Sequence, residues 1–264
     1  MAQTMPHVGL ADISDIPAIR RIGLPDLRDA LSRGIDDFLA TPTQLFFLAL
    51  IYPIIGMIAA RAAWGGDLVY LIFPLIAGLS LMGPVAAIGL YEISRQREMG
   101  RQTSWLDGLR VFRSPAILSA AALGVLLLAI FLLWIFAAHL VYQATFAGHP
   151  HATLGALLRD LVDTREGWSL IVLGNAVGFI FAVVVLSLTV VAFPMILDRE
   201  VGPVTAMRTS LRAVAANPVP MAAWGLVVAA GLLLGCLPLF VGLALVMPVL
   251  GHATWHLYRK VVVS

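Results

Sequence analysis

The fold class this sequence predicts is an all-α, polytopic transmembrane helical bundle, and three observations predict it. The chain is 60% hydrophobic and only 12% charged over 264 residues, with a mean hydropathy of +0.94, too little polar surface to clothe a globular exterior in water. Its apolar runs are continuous over about 20 residues, as bilayer-crossing helices require and alternating barrel strands do not. Fourteen of its seventeen basic residues fall on alternate segments between those runs, the asymmetry that orients a multi-pass protein.

Taken in order, residues 1–24 read as a polar cytoplasmic tail and 25–264 as one integral membrane domain. The opening stretch lacks the basic, apolar and small-residue succession of a cleavable signal peptide, so the first span is expected to direct insertion. Uncharged apolar windows place spans at 43–63, 68–91, 115–142 and 168–197, with a final pair inside 218–258. As one helix the last stretch would be about 60 Å long, twice a hydrocarbon core. It must therefore fold back, as two full spans or a re-entrant hairpin, and Gly235-Cys236-Leu237-Pro238 is the turn signal near its middle. Six spans put Arg20, Arg21, Arg28 and Arg33, then Arg95, Arg97, Arg101, Arg110 and Arg113, then Arg199, Arg208 and Arg212, then Arg259 and Lys260 on one side. Only Arg61, Arg159 and Arg165 remain on the other. Both termini are then expected on the cytoplasmic face of a bacterial inner membrane. Five spans would leave the asymmetry at 12 against 5.

Before three of the spans, apolar residues recur at 0, +4 and +7: Leu31, Ile35 and Phe38; Trp105, Leu109 and Phe112; Met207, Leu211 and Val214. A proline follows each set, as Pro42, Pro115 and Pro218. This is the spacing of one helical face, and it predicts three amphipathic helices lying on the inner leaflet. Arg97-Glu98-Met99-Gly100 and Leu109-Arg110 recur at one offset as Arg199-Glu200-Val201-Gly202 and Leu211-Arg212, and Pro84-Val85 precedes Arg95 as Pro248-Val249 precedes Arg259. The reading is a threefold internal repeat of an interfacial helix plus a hairpin, in units of about 25–95, 96–200 and 201–260. Thr153 ahead of Leu154, Leu157, Leu158, Leu161 and Val162 predicts a further capped amphipathic helix on the outer side.

Residues that carry chemistry are sparse. The span interiors hold no charge, and Arg61, Asp67 and Glu92 at span ends are read as reaching headgroups; this argues against a proton pump, a voltage sensor or a carboxylate-coupled transporter. A single cysteine, Cys236, rules out an intrachain disulfide and a paired-cysteine zinc site. His252 and His256, four apart on one helical face, are the candidate cofactor ligands; the spacing can place two imidazoles on one metal ion, but not on opposite faces of one haem. The plainer reading makes them interfacial residues beside Trp255 and Tyr258. His139 lies at the other end of its span, and His149 and His151 flank Pro150 in a solvated turn. Ser80 with His252 resembles the serine and histidine of rhomboid-type intramembrane proteases, but their depths differ by about 12 Å at helical rise. No catalytic residue, metal site or cofactor is assigned, and the dispersed basic residues are not read as a nucleic-acid surface. Asn175, Ser187 and Thr189 are expected to bond between helices, Pro53, Pro74, Pro84 and Pro248 to kink their spans, and Gly174 with Gly178 and Gly231 with Gly235 to allow close approach of a neighbouring helix, in this or another chain.

Gly83-Pro84-Val85-Ala86-Ala87-Ile88-Gly89-Leu90-Tyr91-Glu92-Ile93-Ser94-Arg95, continuing to Glu98-Met99-Gly100, and Phe193-Pro194-Met195-Ile196-Leu197-Asp198-Arg199, continuing to Asn217-Pro218, resemble the signature of a prokaryotic family of integral membrane proteins of unknown function. The likeness covers nearly the whole chain past residue 20. Some members carry a cytochrome c oxidase subunit I label, which would imply about twelve spans and some six ligating histidines. Three span histidines at two depths cannot supply these. The role expected is that of a non-catalytic accessory, assembly or membrane-organising component whose partners are the bilayer and other membrane proteins. The alternatives are a small-solute or lipid transporter and, third, an enzyme or haem-linked respiratory subunit.

Overall fold

The computed structural model describes residues 17–64, 69–146, 151 and 153–263, which form twelve α-helices, two stretches of 3-10 helix and no strand. Three of these helices are long and apolar enough to cross a membrane: Ile117–Phe146, Pro218–Cys236 and the bent rod Arg165–Arg199. The first predicted span is α2 (Gln44–Trp64), with Pro53 inside it. The second is segmented into a 3-10 turn (Val69–Leu71), α3 (Ile72–Leu81), α4 (Gly83–Ala86) and α5 (Ile88–Glu98). Proline has no N–H to donate and crowds the carbonyl four residues back. Pro84 therefore interrupts the rod, and Met82 and Ala87 on either side have ψ near zero, −1° and −6°. The bent rod is α8 (Arg165–Thr189) and α9 (Ala192–Arg199), broken at residues 190–191. There Pro194 acts on Val190 by the same mechanism, a kink the sequence reading did not place. Pro248, expected to kink its span, lies within an unbroken α12 (Leu243–Val261).

The last apolar stretch folds as two helices, α11 (Pro218–Cys236) and α12, joined by residues 237–242. The turn thus falls just after the predicted one, because Gly235 is a contact point rather than a bend. A Cβ on Gly235 would lie 3.1 Å from the backbone nitrogen of Leu243. Leu239 and Phe240 take positive φ, 50° and 66°, and Tyr52 of α2 donates to the Leu239 carbonyl at 3.2 Å. On the remaining side, α7 (Leu154–Asp163) is capped as expected by Thr153, which accepts from the Ala156 N–H.

The four segments read as one side of the membrane converge on one end of the bundle. Asn217 accepts from the Ile22 N–H at 2.8 Å and donates to the Arg20 carbonyl at 3.1 Å. Arg199 donates to the Val263 carbonyl, Arg259 bridges Glu98 and Asp198 at 3.0 and 3.2 Å, and Ile19 pairs antiparallel with Val262. The inner core of this basic end is made by α5, α9 and α12, whose Ile93, Phe193, Met195, Ile196, Trp255 and Leu257 are fully buried. Against them pack α1 (Leu24–Ala40), the 3-10 helix Trp105–Arg113 and α10 (Pro203–Ala216).

These three helices pack on the bundle through a face that the apolar spacing does not name. Each turns a small-residue face inward. Gly34 of α1 crosses Ala253 of α12, where an added Cβ would come within 2.6 Å of the Ala253 nitrogen. Gly108 crosses Gly89 of α5, with its would-be Cβ 3.1 Å from the Gly89 carbonyl. Ser210 of α10 accepts from the Val191 N–H at 3.3 Å, at the break between α8 and α9. Of the 0, +4, +7 residues, Ile35, Trp105, Leu109, Phe112 and Leu211 look outward and are exposed, while Leu31, Met207 and Val214 pack against the core. In water that arrangement would be inside out; against hydrocarbon it removes large apolar side chains from solvent.

Gly178 packs on Trp134 of α6 (Ile117–Phe146), 3.2 Å from a would-be Cβ, and Gly231 on Val246 and Leu250 of α12, at 3.2 and 3.4 Å, whereas Gly174 faces open space. Asn175 and Thr189 bond carbonyls of their own helix, Ile171 and Val185, rather than a neighbour. Glu92 does not reach outward; it is buried and takes donors from Arg95 at 2.9 Å and Gln96 at 2.5 Å. The side chain of Arg61, together with Asp67, His149 and residues 1–16 of the tail, lies outside the described residues.

Candidate functional site

The densest polar cluster of the basic end sits where the first helix meets the last. Asp37, on the inward face of α1, is its hub. Oδ2 accepts from Ser94 Oγ at 2.6 Å and from His256 Nε2 at 2.8 Å, and Oδ1 accepts from Arg97 Nε at 2.7 Å. Ser94 Oγ is also 2.8 Å from His252 Nδ1. Burial alone would raise the carboxyl pKa, but the hydrogen bonds from His256, Ser94 and Arg97 outweigh it and hold Asp37 down at about 2.

Donor and acceptor counting fixes the tautomers. The single Ser94 proton points at the carboxylate, so Ser94 can only accept from His252, and His252 carries its proton on Nδ1. Its Nε2 is then a bare acceptor, fully buried and without a hydrogen-bond partner. His256 must carry a proton on Nε2 to reach Asp37. This order, carboxylate to serine to histidine, is the reverse of a nucleophilic triad, in which the imidazole takes the serine proton. Ser94 is moreover fully buried. The hydroxyl partner of His252 is Ser94, not Ser80.

The two sequence-nominated histidines therefore do share a face, but they are tied to Ser94 and Asp37 rather than turned together toward a ligand. His252, Trp255 and Tyr258 are fully buried, whereas His256 is half-buried at the edge of the cluster, with Trp255 donating to Glu98 at 3.0 Å and Tyr258 to Asp198 at 2.5 Å. Among the described residues no group of three or more His, Cys, Asp or Glu side chains is placed to hold a metal ion. Beside the cluster an open recess of about 290 Å³ is lined by Arg33, Asp36, Asp37, Arg97, Glu98 and His256, so water reaches Asp37 and His256 but not Ser94 or His252.

At the opposite end of the bundle, Tyr70 and Tyr142 stack with centroids 3.9 Å apart. Tyr70 bonds His139 Nδ1 at 2.5 Å, and Tyr142 bonds His151 Nδ1 at 2.6 Å. His151 Nε2 in turn meets Asp160 of α7 at 2.9 Å. His151 is thus a buried tie between α6 and α7, not part of a solvated turn. Sequence reading missed Asp37, Ser94 and Arg97 because each looks like ordinary end-of-helix polarity. The one available signal was that the residue three beyond the crossing is Asp37 in the first amphipathic helix but Val111 and Ala213 in the others.

Apolar helices of membrane-crossing length, a polar cluster closed at one end and large apolar side chains facing outward define a helical integral membrane protein. Residues 72–198, just under half of the chain, match the model of the family described as predicted integral membrane protein (DUF2189). This is the membrane family of unknown function that the sequence resembles. No curated protein and no solved structure matches the chain.

Proposed function

We propose that this chain is a six-span protein of the bacterial inner membrane with both termini in the cytoplasm, acting without catalysis as a membrane-organising or accessory component. Its spans are α2, α3 with α4 and α5, α6, α8 with α9, α11 and α12, and the basic end is the cytoplasmic one by the positive-inside rule. The observation that carries the reading is the order of the hydrogen bonds in the Asp37 cluster: the Ser94 hydroxyl gives its proton to the Asp37 carboxylate rather than to His252, so no nucleophile is prepared.

The proposed architecture is a threefold repeat closed into a ring, and the three crossings support it. Gly108 and Ser210 stand 102 residues apart, and so do their partners Gly89 and Val191; Gly34 and Gly108 stand 74 apart, and Gly89 and Ala253 stand 164 apart. The same 164-residue step relates Pro84 to Pro248 and Arg95 to Arg259. Each short helix rests on the inner helix of the unit before it, and the first closes onto the last. Self-association, if part of the role, would use the Gly174 face, since Gly178, Gly231 and Gly235 already meet side chains of this chain.

A small-solute or lipid carrier is the second reading, favoured by the breaks at residues 82–87 and 190–191 near the bundle axis, since discontinuous helices commonly frame transport sites. Purification of the full chain in mild detergent, with identification of what accompanies it, separates the two. Membrane-protein partners are expected for the organising role and a bound lipid or solute for the carrier, while recovery of the bare protein would overturn both. Cysteine labelling of either terminus from the periplasm would overturn the topology.

A further inference from the structure

We propose that α1 is a clasp that closes the bundle and is released by protonation, with Asp37 as its catch and His252 as the group that takes up the proton. Two of the three crossings join residues only 19 positions apart in the chain, Gly89 to Gly108 and Val191 to Ser210, whereas Gly34 and Ala253 are 219 apart. Only at this crossing are the ends of the chain brought together. Along it α1 runs antiparallel to the last turns of α12, with Asp29 on Lys260 at 2.8 Å at one end and Asp37 on His256 at the other.

It is also the crossing held by ionisable side chains, whereas Ser210 meets the Val191 N–H in a single neutral hydrogen bond. The positions corresponding to Asp37 are Val111 and Ala213, both buried and apolar. Neither apolar packing nor a neutral hydrogen bond responds to pH, but a catch built from a carboxylate and imidazoles does. Two buried side-chain polar atoms without a hydrogen-bond partner are found among the described residues, and both belong to this closure: His252 Nε2, beneath the catch, and Thr43 Oγ1, at the hinge between α1 and α2. An orphaned buried donor or acceptor destabilises the state that buries it. Opening would hydrate both atoms, so the closed state carries a stored cost at its hinge and at its catch.

The sign of the proton dependence follows from the same geometry. With the clasp closed, His252 spends its one proton on Ser94, and its Nε2 is buried away from water without a hydrogen-bond partner. The charged and titratable groups around it are Asp37 from α1, Arg97 with Ser94 from α5, and His256 from α12 itself. From α9, Asp198 faces Arg259 and Tyr258 instead. Helix α11 carries no charged residue, and α2 carries only Arg61, near its far end. With α1 undocked, water reaches Nε2 and the imidazole can charge. The open state therefore binds more protons, and opening gains as pH falls through the histidine range. Asp37 stays ionised there, its carboxyl being held at about 2; the catch fails because its buried neighbour becomes a cation.

The test is a spin-label distance measurement on the full-length protein in lipid nanodiscs, in a Cys236→Ser background. Labels go at Ser32→Cys on α1 and Gln102→Cys beyond α5, both exposed positions. A longer-distance population is expected to rise several-fold between pH 7.5 and pH 5.0, while a control pair at Leu118→Cys and Phe179→Cys, on α6 and α8, stays unchanged. His252→Gln, which cannot charge, should keep the short distance at both pH values. A single unchanged distance in the parent protein, or a pH response that survives in His252→Gln, would overturn the proposal. Ser94→Ala gives a second reading that does not depend on the glutamine variant folding. By removing the Nδ1 acceptor it should enlarge the open population already at pH 7.5, and a distribution identical to that of the parent counts against the clasp.

Discussion

Asp37 is the residue on which the basic end turns, because three donors from two other helices end on its two oxygens. Asp37→Asn keeps the shape but removes the charge that Arg97 faces, and should cost roughly 1–3 kcal/mol, the value of charge-assisted hydrogen bonds. The carboxyl is held at about 2, below its ordinary 3.8, so its contribution is complete above pH 4 and disappears as pH falls toward 2. Thermal unfolding in detergent should therefore separate parent and variant most at pH 7.5, where α1 is closed, and bring them together near pH 2; a margin that persists at pH 2 would place the effect elsewhere. The spacing of His252 and His256 was legible in the sequence as one helical face. Their partners were not, since Ser94 lies 158 residues from His252 and Asp37 lies 219 from His256. For the same reason Trp255 and Tyr258 read as interfacial aromatics: nothing local says that Glu98 and Asp198 wait to accept from them.

Among the elements, the amphipathic helices carry the main difference between expectation and structure. Their existence and the prolines that end them were legible from the 0, +4, +7 spacing, but periodicity names an apolar face without saying what it meets. In a membrane the large residues can face lipid, which leaves the adjoining stripe of Gly34, Gly108 and Ser210 to make the close crossings, where small side chains let backbones approach. The glycines then sort by surroundings rather than by motif. Gly34→Ala drives a methyl against the Ala253 backbone, and Gly235→Leu drives a larger group against residues 242–243. Overpacking of this kind typically costs 1–3 kcal/mol. Gly174→Leu, with nothing near its Cβ, should leave the melting temperature unchanged or slightly raised, because leucine is the better helix former. Differential scanning fluorimetry of the three variants checks the order, and a Gly174→Leu protein as unstable as Gly34→Ala would mean that residue spacing, not local packing, governs these helices. A change of oligomeric state confined to Gly174→Leu would identify that face as the self-association surface.

For the whole molecule, the three crossings of the proposed repeat raise the question of why one of them carries ionisable groups. Burying a hydrogen-bonded ionic cluster in place of well-packed apolar residues is commonly neutral or unfavourable for stability, while removing one member from it is costly. The proposed repeat supplies uncharged counterparts. By the 102- and 164-residue steps, Ser94 corresponds to Ile196 and Tyr258, and His252 to Ile88 and Val190; Asp37 corresponds to Val111 and Ala213. Asp37→Val alone should lose about 3 kcal/mol, since it strands a serine, a histidine and part of an arginine that the closed bundle shields from water. Adding Ser94→Ala and His252→Val removes the stranded buried groups together, leaving Arg97 and His256 at the mouth of the recess, where water can reach them. The triple variant should recover most of the loss and hold α1 closed at pH 5.0 as well as at pH 7.5. A triple variant no more stable than Asp37→Val would mean that the polar catch determines the fold of this corner; recovery, with the response to pH abolished, means that the fold stands without it and that its polarity serves the opening of α1.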